Sequence, residues 1–289
     1  MRVRGVLGEL VTIKSTKGLD LDGICYRRQR NRVTIVHIHG SFGNFYQNRF
    51  VKLMAKKYGQ AGINLLSFNM ASHDGLCEGY RHENKFEYVG GAVADFSECV
   101  ADIRGAVQYA AQFSDRVILQ GHSLGCDRVL QFLISNGDKY DFILLSPCDS
   151  YQLQVKWIAP ETVEEQIMRL KNQPPNDPHF DWLPSREYGV AGGDDWTYPI
   201  PITRRAFLSI AEGPPYHLMK IKQPADFHVD RKALIYIGGK DLLQVWPHDV
   251  MFQYLKERIP AAEEVYVPRG DHMLAGCEEE VVEKIIQWV

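Results

Sequence analysis

The segment from Val117 to Leu133 constrains the fold more than any other part of the chain. It begins as a short apolar run, passes through Gly-His-Ser-Leu-Gly at 121–125, and continues with apolar side chains at helical spacing. A strand, a tight turn and a helix are therefore expected in that order, with Ser123 at the turn. Small residues two positions before and after the serine permit so sharp a turn, which presents the hydroxyl at the carboxyl end of the strand and the amino end of the helix.

The remaining chain alternates between apolar runs and amphipathic stretches. Strands are predicted at 10–15, 21–26, 33–39, 63–68, 116–120, 142–146, 233–237 and 264–267, and helices at about 45–58, at 92–112, after the serine turn, after Pro247 and at the carboxyl terminus. Residues 72–91 lack a clear period and are predicted to form a loop. This alternation predicts an α/β fold with a mostly parallel central sheet and helices on both faces.

The alternation stops between residues 149 and 231, where prolines and aromatic residues accumulate. We interpret 149–231 as a partly helical cap, or lid, inserted into a core formed by 1–148 and 232–289; an irregular excursion packed on the edge of the core is the alternative. One cap helix is expected from Pro160 to Lys171, where an acidic start and a basic end complement the helix dipole. Thr203 is expected to cap a second, shorter helix.

Composition and charge exclude several classes of protein. The formal net charge is −3 and the basic residues are scattered, which argues against a nucleic-acid partner. The sequence contains no apolar run of the ~18 residues that a membrane span needs, and the amino terminus lacks the apolar centre of a signal peptide. The six cysteines form no Cys-x-x-Cys pair, which favours free thiols in a reducing compartment. A cytoplasmic protein without a membrane span is therefore expected.

Three residues that could act together follow the ends of predicted strands. A serine hydroxyl is a weak nucleophile unless a base lies within hydrogen-bonding distance and an acid orients that base. Ser123, Asp241 and His272 each come just after a predicted strand, and the carboxyl ends of parallel strands gather at one edge of a sheet. Their order along the chain, serine then acid then histidine, is the order found around a nucleophile elbow.

Four motifs carry a specific resemblance to a known family. They are His39-Gly40-Ser41, Gly121-His122-Ser123-Leu124-Gly125, Gly238-Gly239-Lys240-Asp241 and Gly270-Asp271-His272. With these motifs the chain resembles the α/β-hydrolase superfamily, in its serine esterase and lipase branch. The resemblance covers nearly the whole length and is weakest in the cap segment.

The resemblance implies a role for each matching residue. Ser123 would be the nucleophile, His272 the general base and acid, and Asp241 the acid that orients the histidine. The backbone N–H groups of Ser41 and Leu124 would form the oxyanion hole.

Other residues could take some of these roles. Asp149 also follows a strand end and is an alternative acid, whereas Asp271, adjacent to His272, is interpreted as a carboxylate that braces the loop. His37 and His39 lie two apart on a strand, but no further ligand follows them, so a structural role for His39 is favoured over a metal pair. No phosphate-binding loop or dinucleotide fingerprint occurs, and neither a metal nor a cofactor is predicted.

These observations together predict a serine hydrolase that cleaves a small-molecule carboxylic ester, or a thioester or amide, through an acyl-enzyme. The aromatic residues of the cap and of the loop from Tyr80 to Tyr88 suggest an apolar pocket for a small acyl substrate. One alternative is an acyltransferase or thioesterase of a biosynthetic pathway that uses the same residues. A second is a non-catalytic binding protein on the same fold. The sequence specifies neither the natural substrate nor the oligomeric state.

Overall fold

A computed structural model describes residues 2–3, 6–28, 32–82, 85–136, 139–149, 163–174, 181–182, 202–212 and 227–289. Its strands are β1 Arg2–Val3, β2 Val6–Lys14, β3 Asp20–Tyr26, β4 Val33–Ile38, β5 Ile63–Phe68, β6 Cys77–Arg81, β7 Lys85–Val89, β8 Arg116–His122, β9 Asp141–Leu145, β10 Ala233–Gly238 and β11 Ala262–Val267. Its α-helices are α1 Arg49–Gln60, α2 Cys99–Ala111, α3 Leu124–Asn136, α4 Val163–Asn172, α5 Arg204–Ala211, α6 His248–Arg258 and α7 Glu278–Trp288. Among these described helices, none combines the length and the apolar character that crossing a bilayer requires.

Nine of the described strands form one sheet in the order β1-β2-β3-β5-β4-β8-β9-β10-β11. The strands from β5 to β11 in this order are parallel, and β1, β2 and β3 add an antiparallel edge. The parallel strands β4, β5, β8, β9 and β10 are buried along nearly their whole length. That burial explains why these strands are mostly apolar, and the mostly parallel sheet confirms the predicted fold class.

Helices cover both faces of the sheet. One apolar cluster contains residues of α2, α3 and α6, and a second contains residues of α1 and α7. Strand β4 contributes alternate side chains to the two clusters: Val36 and Ile38 to the first, and Ile35 to the second. This period of two follows from the strand geometry, because successive side chains point to opposite faces.

Two elements differ from the sequence prediction. Residues 72–91, predicted to be a loop, contain the antiparallel hairpin β6–β7. The helix predicted over 92–112 begins only at Cys99, after a short 3₁₀ turn at Phe96–Glu98. The Asp95 side chain accepts a hydrogen bond from the Ser97 N–H, and this cap fixes where the helical segment starts.

The described part of the cap segment contains two helices. The predicted helix over 160–171 is observed as α4, although Pro160 lies outside the described residues. Thr203 caps α5 as predicted, since its side chain accepts a hydrogen bond from the Ala206 N–H. The Thr203 N–H also donates to the Ala92 carbonyl at 2.8 Å, which joins α5 to the core. The division into a core and a cap stays a prediction.

Candidate active site

The turn between β8 and α3 holds Ser123 in a strained conformation. Its φ is 56°, a left-handed value that costs a residue with a Cβ roughly 1–2 kcal/mol. Close packing enforces the turn, because a Cβ on Gly125 would lie 2.3 Å from the Ile38 carbonyl oxygen and one on Gly121 would lie 2.4 Å from the Gly125 oxygen. Sequence reasoning located the serine correctly at this turn, and backbone strain of this kind is often found at functional sites.

The side chains of His272 and Asp241 are hydrogen-bonded to each other. His272 Nδ1 lies 2.9 Å and 3.1 Å from the two Asp241 carboxylate oxygens. The Asp241 side chain is completely buried and the His272 side chain is 15% exposed. A proton on Nδ1 that is shared with the carboxylate leaves Nε2 as the ring atom free to accept a proton. The structure thus brings together two of the three residues predicted to act in concert.

Two residues that the sequence analysis did not assign to the site hold the backbone of His272. His122 Nε2 and Ser146 Oγ donate hydrogen bonds to the His272 carbonyl oxygen, at 2.8 Å and 3.0 Å. Burial lowers the pKa of His122 well below its usual value, so the ring is neutral and carries its proton on Nε2. Neither contact has a local sequence signal, since the partners lie 150 and 126 residues from His272.

Ser123 and His272 lie at the same edge of the sheet. Within the described residues no hydrogen bond joins Ser123 Oγ to His272 Nε2. The Ser123 side chain instead contacts the thiol of Cys148, whose pKa burial raises well above its usual value. Hydrogen bonds between a catalytic serine and histidine are often long before substrate binds and shorten in the reacting complex.

The loop after β4 lies against Ser123. A Cβ on Gly40 would be 2.9 Å from Ser123 Cβ and 3.4 Å from its Oγ. In the described part of the chain, the backbone N–H groups of Ser41 and Leu124 have no hydrogen-bond acceptor. Their use as oxyanion donors stays a prediction.

His39 has a structural role under this loop. Its Nδ1 donates to the Gly40 carbonyl oxygen at 2.9 Å, and its Nε2 accepts from the Met70 N–H at 3.1 Å. Burial holds the pKa of His39 well below its usual value, which keeps the ring neutral. His37 binds a different partner, the Gln120 side chain, at 3.0 Å. The rings of His37 and His39 therefore have different hydrogen-bond partners.

One cluster among the described residues brings metal-binding side chains together: ligand atoms of His73, Asp74 and Cys77 lie within 4.8 Å of one another. The Asp74 carboxylate already accepts hydrogen bonds from Asn44, Tyr46 and His73. Burial and the charge of Asp74 raise the pKa of the Cys77 thiol, which disfavours the thiolate that a metal would need. These contacts support a hydrogen-bonded network that anchors Asn44, rather than an open metal site.

The other two aspartates considered from the sequence have different partners. Asp149 is buried and accepts a hydrogen bond from Trp246 Nε1 at 2.9 Å. Asp271 Oδ1 accepts from the N–H groups of Met273 and Ala275, at 2.9 Å and 2.8 Å, and so braces its own turn. The carboxylate hydrogen-bonded to the His272 ring is that of Asp241.

Comparison of the sequence with known protein families and with curated proteins finds no match. Comparison with solved structures finds similar folds. Est1E from Butyrivibrio proteoclasticus has 15% identity and a TM-score of 0.66, with 96% of each chain covered. Alpha/beta hydrolase domain-containing protein 10 from mouse has 16% identity and a TM-score of 0.66, covering 96% of this chain and 97% of that one. The Pyrococcus furiosus esterase Pf2001 has 14% identity and a TM-score of 0.60, and the match covers 98% of this chain and 92% of the esterase chain. These likenesses and the observed strand order show that the chain has the α/β-hydrolase fold.

Proposed function

We propose that this chain is a serine hydrolase that cleaves a small-molecule carboxylic ester through an acyl-enzyme. The observation that carries the proposal is the hydrogen bond between His272 and a fully buried Asp241, at the sheet edge that also presents Ser123 in a strained turn. A buried carboxylate that orients a histidine, at the same sheet edge as a partly exposed serine, is the arrangement that nucleophilic catalysis needs.

In the first half-reaction, Ser123 Oγ attacks the ester carbonyl carbon while His272 Nε2 takes the hydroxyl proton. Asp241 stabilises the imidazolium that forms. The carbonyl oxygen becomes an oxyanion and accepts hydrogen bonds from the free N–H groups of Ser41 and Leu124. One such donor typically lowers the barrier by about 3–4 kcal/mol.

The first half-reaction ends when the imidazolium of His272 protonates the departing alcohol and the C–O bond breaks, which leaves the acyl group on Ser123. A water molecule then attacks the acyl-Ser123 ester while His272 takes its proton. Collapse of the second tetrahedral intermediate releases the acid and returns the proton to Ser123. An ester is proposed over an amide because an alcohol leaves more readily than an amine.

The aromatic surface of the hairpin β6–β7 supports an apolar or aromatic portion in the substrate. Tyr80, Phe86 and Tyr88 are each about half exposed, and neighbouring rings contact each other edge to face. Two structural relatives support an ester: Pf2001 is described as an esterase, and Est1E has been solved with ferulic acid bound.

Intact-mass spectrometry after incubation with a fluorophosphonate tests the proposal. We expect one adduct on the wild type, none on Ser123→Ala, and one on Ser97→Ala, in which an exposed serine of the same molecule is removed as a control. An absence of adduct on the folded wild type would contradict the proposal and favour the binding-protein alternative. An adduct that persists on Ser123→Ala would assign the reactive group elsewhere.

The choice of acid is tested by Asp241→Asn, with Asp149→Asn as the matched control. Both replacements remove a buried carboxylate at the same edge of the sheet. We expect Asp241→Asn to lower kcat on an activated ester by roughly 10⁴-fold, because the amide favours the wrong tautomer of His272. Asp149→Asn keeps an acceptor for Trp246 and should retain most of the activity. Equal losses in the two variants would contradict the assignment.

The fate of the acyl group separates hydrolysis from transfer. Products are analysed with esters, thioesters and amides, in water alone and with added alcohols or amines. Release of the free acid in every case supports a hydrolase. Preferential formation of a new ester or amide would replace the proposal with an acyltransferase.

A further inference from the structure

The peptide that joins Gly40 to Ser41 is held unusually firmly. The Gly40 carbonyl oxygen accepts hydrogen bonds from three donors: the Gly43 N–H at 3.2 Å, His39 Nδ1 at 2.9 Å and Arg128 Nη1 at 3.2 Å. The same Arg128 nitrogen also lies 2.8 Å from the His39 carbonyl oxygen. Two consecutive carbonyl groups of the loop are therefore turned toward one guanidinium.

This arrangement determines where the Ser41 N–H points. In a trans peptide the C=O and N–H bonds are antiparallel, so a carbonyl directed toward the interior sends the following N–H outward. Gly40 lies directly against the Ser123 side chain. The Ser41 N–H is the next backbone donor after Gly40, and it has no acceptor in the described part of the chain.

Arg128 connects both proposed oxyanion donors to one helix. It lies on α3, four residues after Leu124, whose N–H opens that helix. Its side chain is buried, with only 3% of the residue exposed, so the guanidinium cannot leave the two carbonyls for solvent. A rigid helix thus supplies one donor directly and fixes the other through the arginine.

We infer that Arg128 is a positioning residue of the oxyanion hole, acting through the Gly40–Ser41 peptide. The inference rests on the proposed function. The fixed cation also polarises the Gly40 carbonyl, which makes the attached N–H a stronger donor toward developing negative charge. Burial lowers the pKa of Arg128 to about 10, and the side chain therefore stays charged at neutral pH.

The test compares two Arg128 variants with one control. Arg128→Met removes the donors and the charge, whereas Arg128→Lys keeps the charge but not the planar fork. Arg104→Met is the control, because Arg104 of α2 hydrogen-bonds the Asn136 side chain of α3 at 2.9 Å and, within the described residues, makes no hydrogen bond to the loop. The control reports the cost of losing an arginine whose hydrogen bonds do not reach the loop.

We expect both Arg128 variants to lower kcat by about 10–100-fold with KM changed by less than about 3-fold, since a misplaced donor fails mainly in the transition state. Inhibition by a trifluoromethyl ketone should weaken by the same factor as kcat/KM, because its tetrahedral adduct uses the same donors. Arg104→Met should lower the unfolding temperature without this selective loss. The inference would be overturned if the Arg128 variants changed only KM. It would also be overturned if they lost no more kcat than Arg104→Met does at the same unfolding temperature.

A crystal structure of the wild-type fluorophosphonate adduct gives a second test that does not depend on a variant folding. We expect the phosphonyl oxygen within hydrogen-bonding distance of the Ser41 and Leu124 N–H groups, with Arg128 still bound to the Gly40 oxygen. A phosphonyl oxygen bound by other donors would overturn the inference. If the wild type does not react, the proposed function and the inference both fail. If it reacts and hydrolyses esters while the Arg128 variants match it, only the inference fails.

Discussion

At the scale of single residues, the candidate site depends on backbone segments that approach each other too closely for a side chain to lie between them. Gly125 is the clearest case, since its Cα faces the carbonyl oxygens of Ile38 and His39 at the end of β4. This contact joins the start of α3 to the loop that carries the proposed oxyanion donor. The φ of Gly125 is not positive, so backbone conformation does not call for a glycine here. The glycine is needed because a Cβ would have no space.

Replacing Gly125 with alanine should therefore destabilise the protein by about 3 kcal/mol, since neither backbone oxygen can move without disturbing the sheet. Gly75→Ala is the control: a Cβ there meets nothing within 4 Å, and the change should stay within about 0.5 kcal/mol. Urea unfolding of both variants measures the difference. Equal stability of the two variants would show that the turn between β8 and α3 can accommodate a Cβ on Gly125.

Asp102 provides a residue-scale prediction about pH. It is buried on α2 and accepts a hydrogen bond from the Ala71 N–H at 2.9 Å. Burial raises the pKa of its carboxyl to about 7, against a usual value near 4. Between these values the folded state keeps a proton that the unfolded state loses, so rising pH favours unfolding over this range.

We expect the free energy of unfolding of the wild type, relative to Asp102→Asn, to fall by about 1.4 kcal/mol per pH unit from pH 4 to 7 and to level off above pH 7. Urea unfolding at several pH values measures this difference, in which the contributions of the other carboxyls cancel. A flat or rising difference would mean that Asp102 is ionised in the folded protein.

The residues that could be predicted from the sequence are those with a local signature. Ser123, Asp241 and His272 each stand in a short motif after an apolar run, so pattern and chain order were enough to propose them. Arg128 had no such signature, because its partners lie 88 and 89 residues away and only the folded chain brings them together. For this reason, the hydrophobic periodicity of a sequence does not predict a buried side chain that donates to a distant backbone carbonyl.

At the scale of elements, burial on both faces made strands easy to predict and partial exposure hid them. Strand β5 is buried at all six positions, and four of its six residues are apolar. Strands β6 and β7 are largely exposed, with charged residues between the aromatic ones, and among the described strands each forms a ladder only with the other. Their hairpin was missed because neither strand has the clean alternation of a half-buried sheet.

The attachment of α5 gives a prediction at this scale. Thr203 Oγ accepts from the Ala206 N–H and donates to the Ala92 oxygen at 2.9 Å, so one hydroxyl both caps the helix and ties it to the core. Thr203→Val should weaken α5 by about 1–2 kcal/mol, and its amides should exchange hydrogen roughly 5–30-fold faster. Thr203→Ser keeps the hydroxyl and should exchange like the wild type. Unchanged exchange in Thr203→Val would mean that other contacts hold the helix.

At the scale of the whole molecule, the site exists only because distant segments meet at one edge of the sheet. Ser41 follows β4, Ser123 follows β8, Asp241 follows β10 and His272 follows β11. Strand β9 lies between β8 and β10 and is followed by Ser146, which holds the His272 backbone. No single hairpin or helix pair contains the arrangement, so the proposed reactivity of the serine requires the parallel sheet from β4 to β11.

This requirement leads to a prediction about unfolding. The rate of fluorophosphonate labelling of Ser123 and the far-ultraviolet circular dichroism signal should fall at the same urea concentration, because the sheet and the site are lost together. Ser123→Ala, which cannot be labelled, should unfold at a similar midpoint by circular dichroism and so show that the reagent does not shift the transition. Labelling lost at a lower urea concentration than the sheet would place the His272 loop in a separate, less stable unit. The hydrogen bonds from His122 and Ser146 would then be too weak to couple that loop to the strands beneath it.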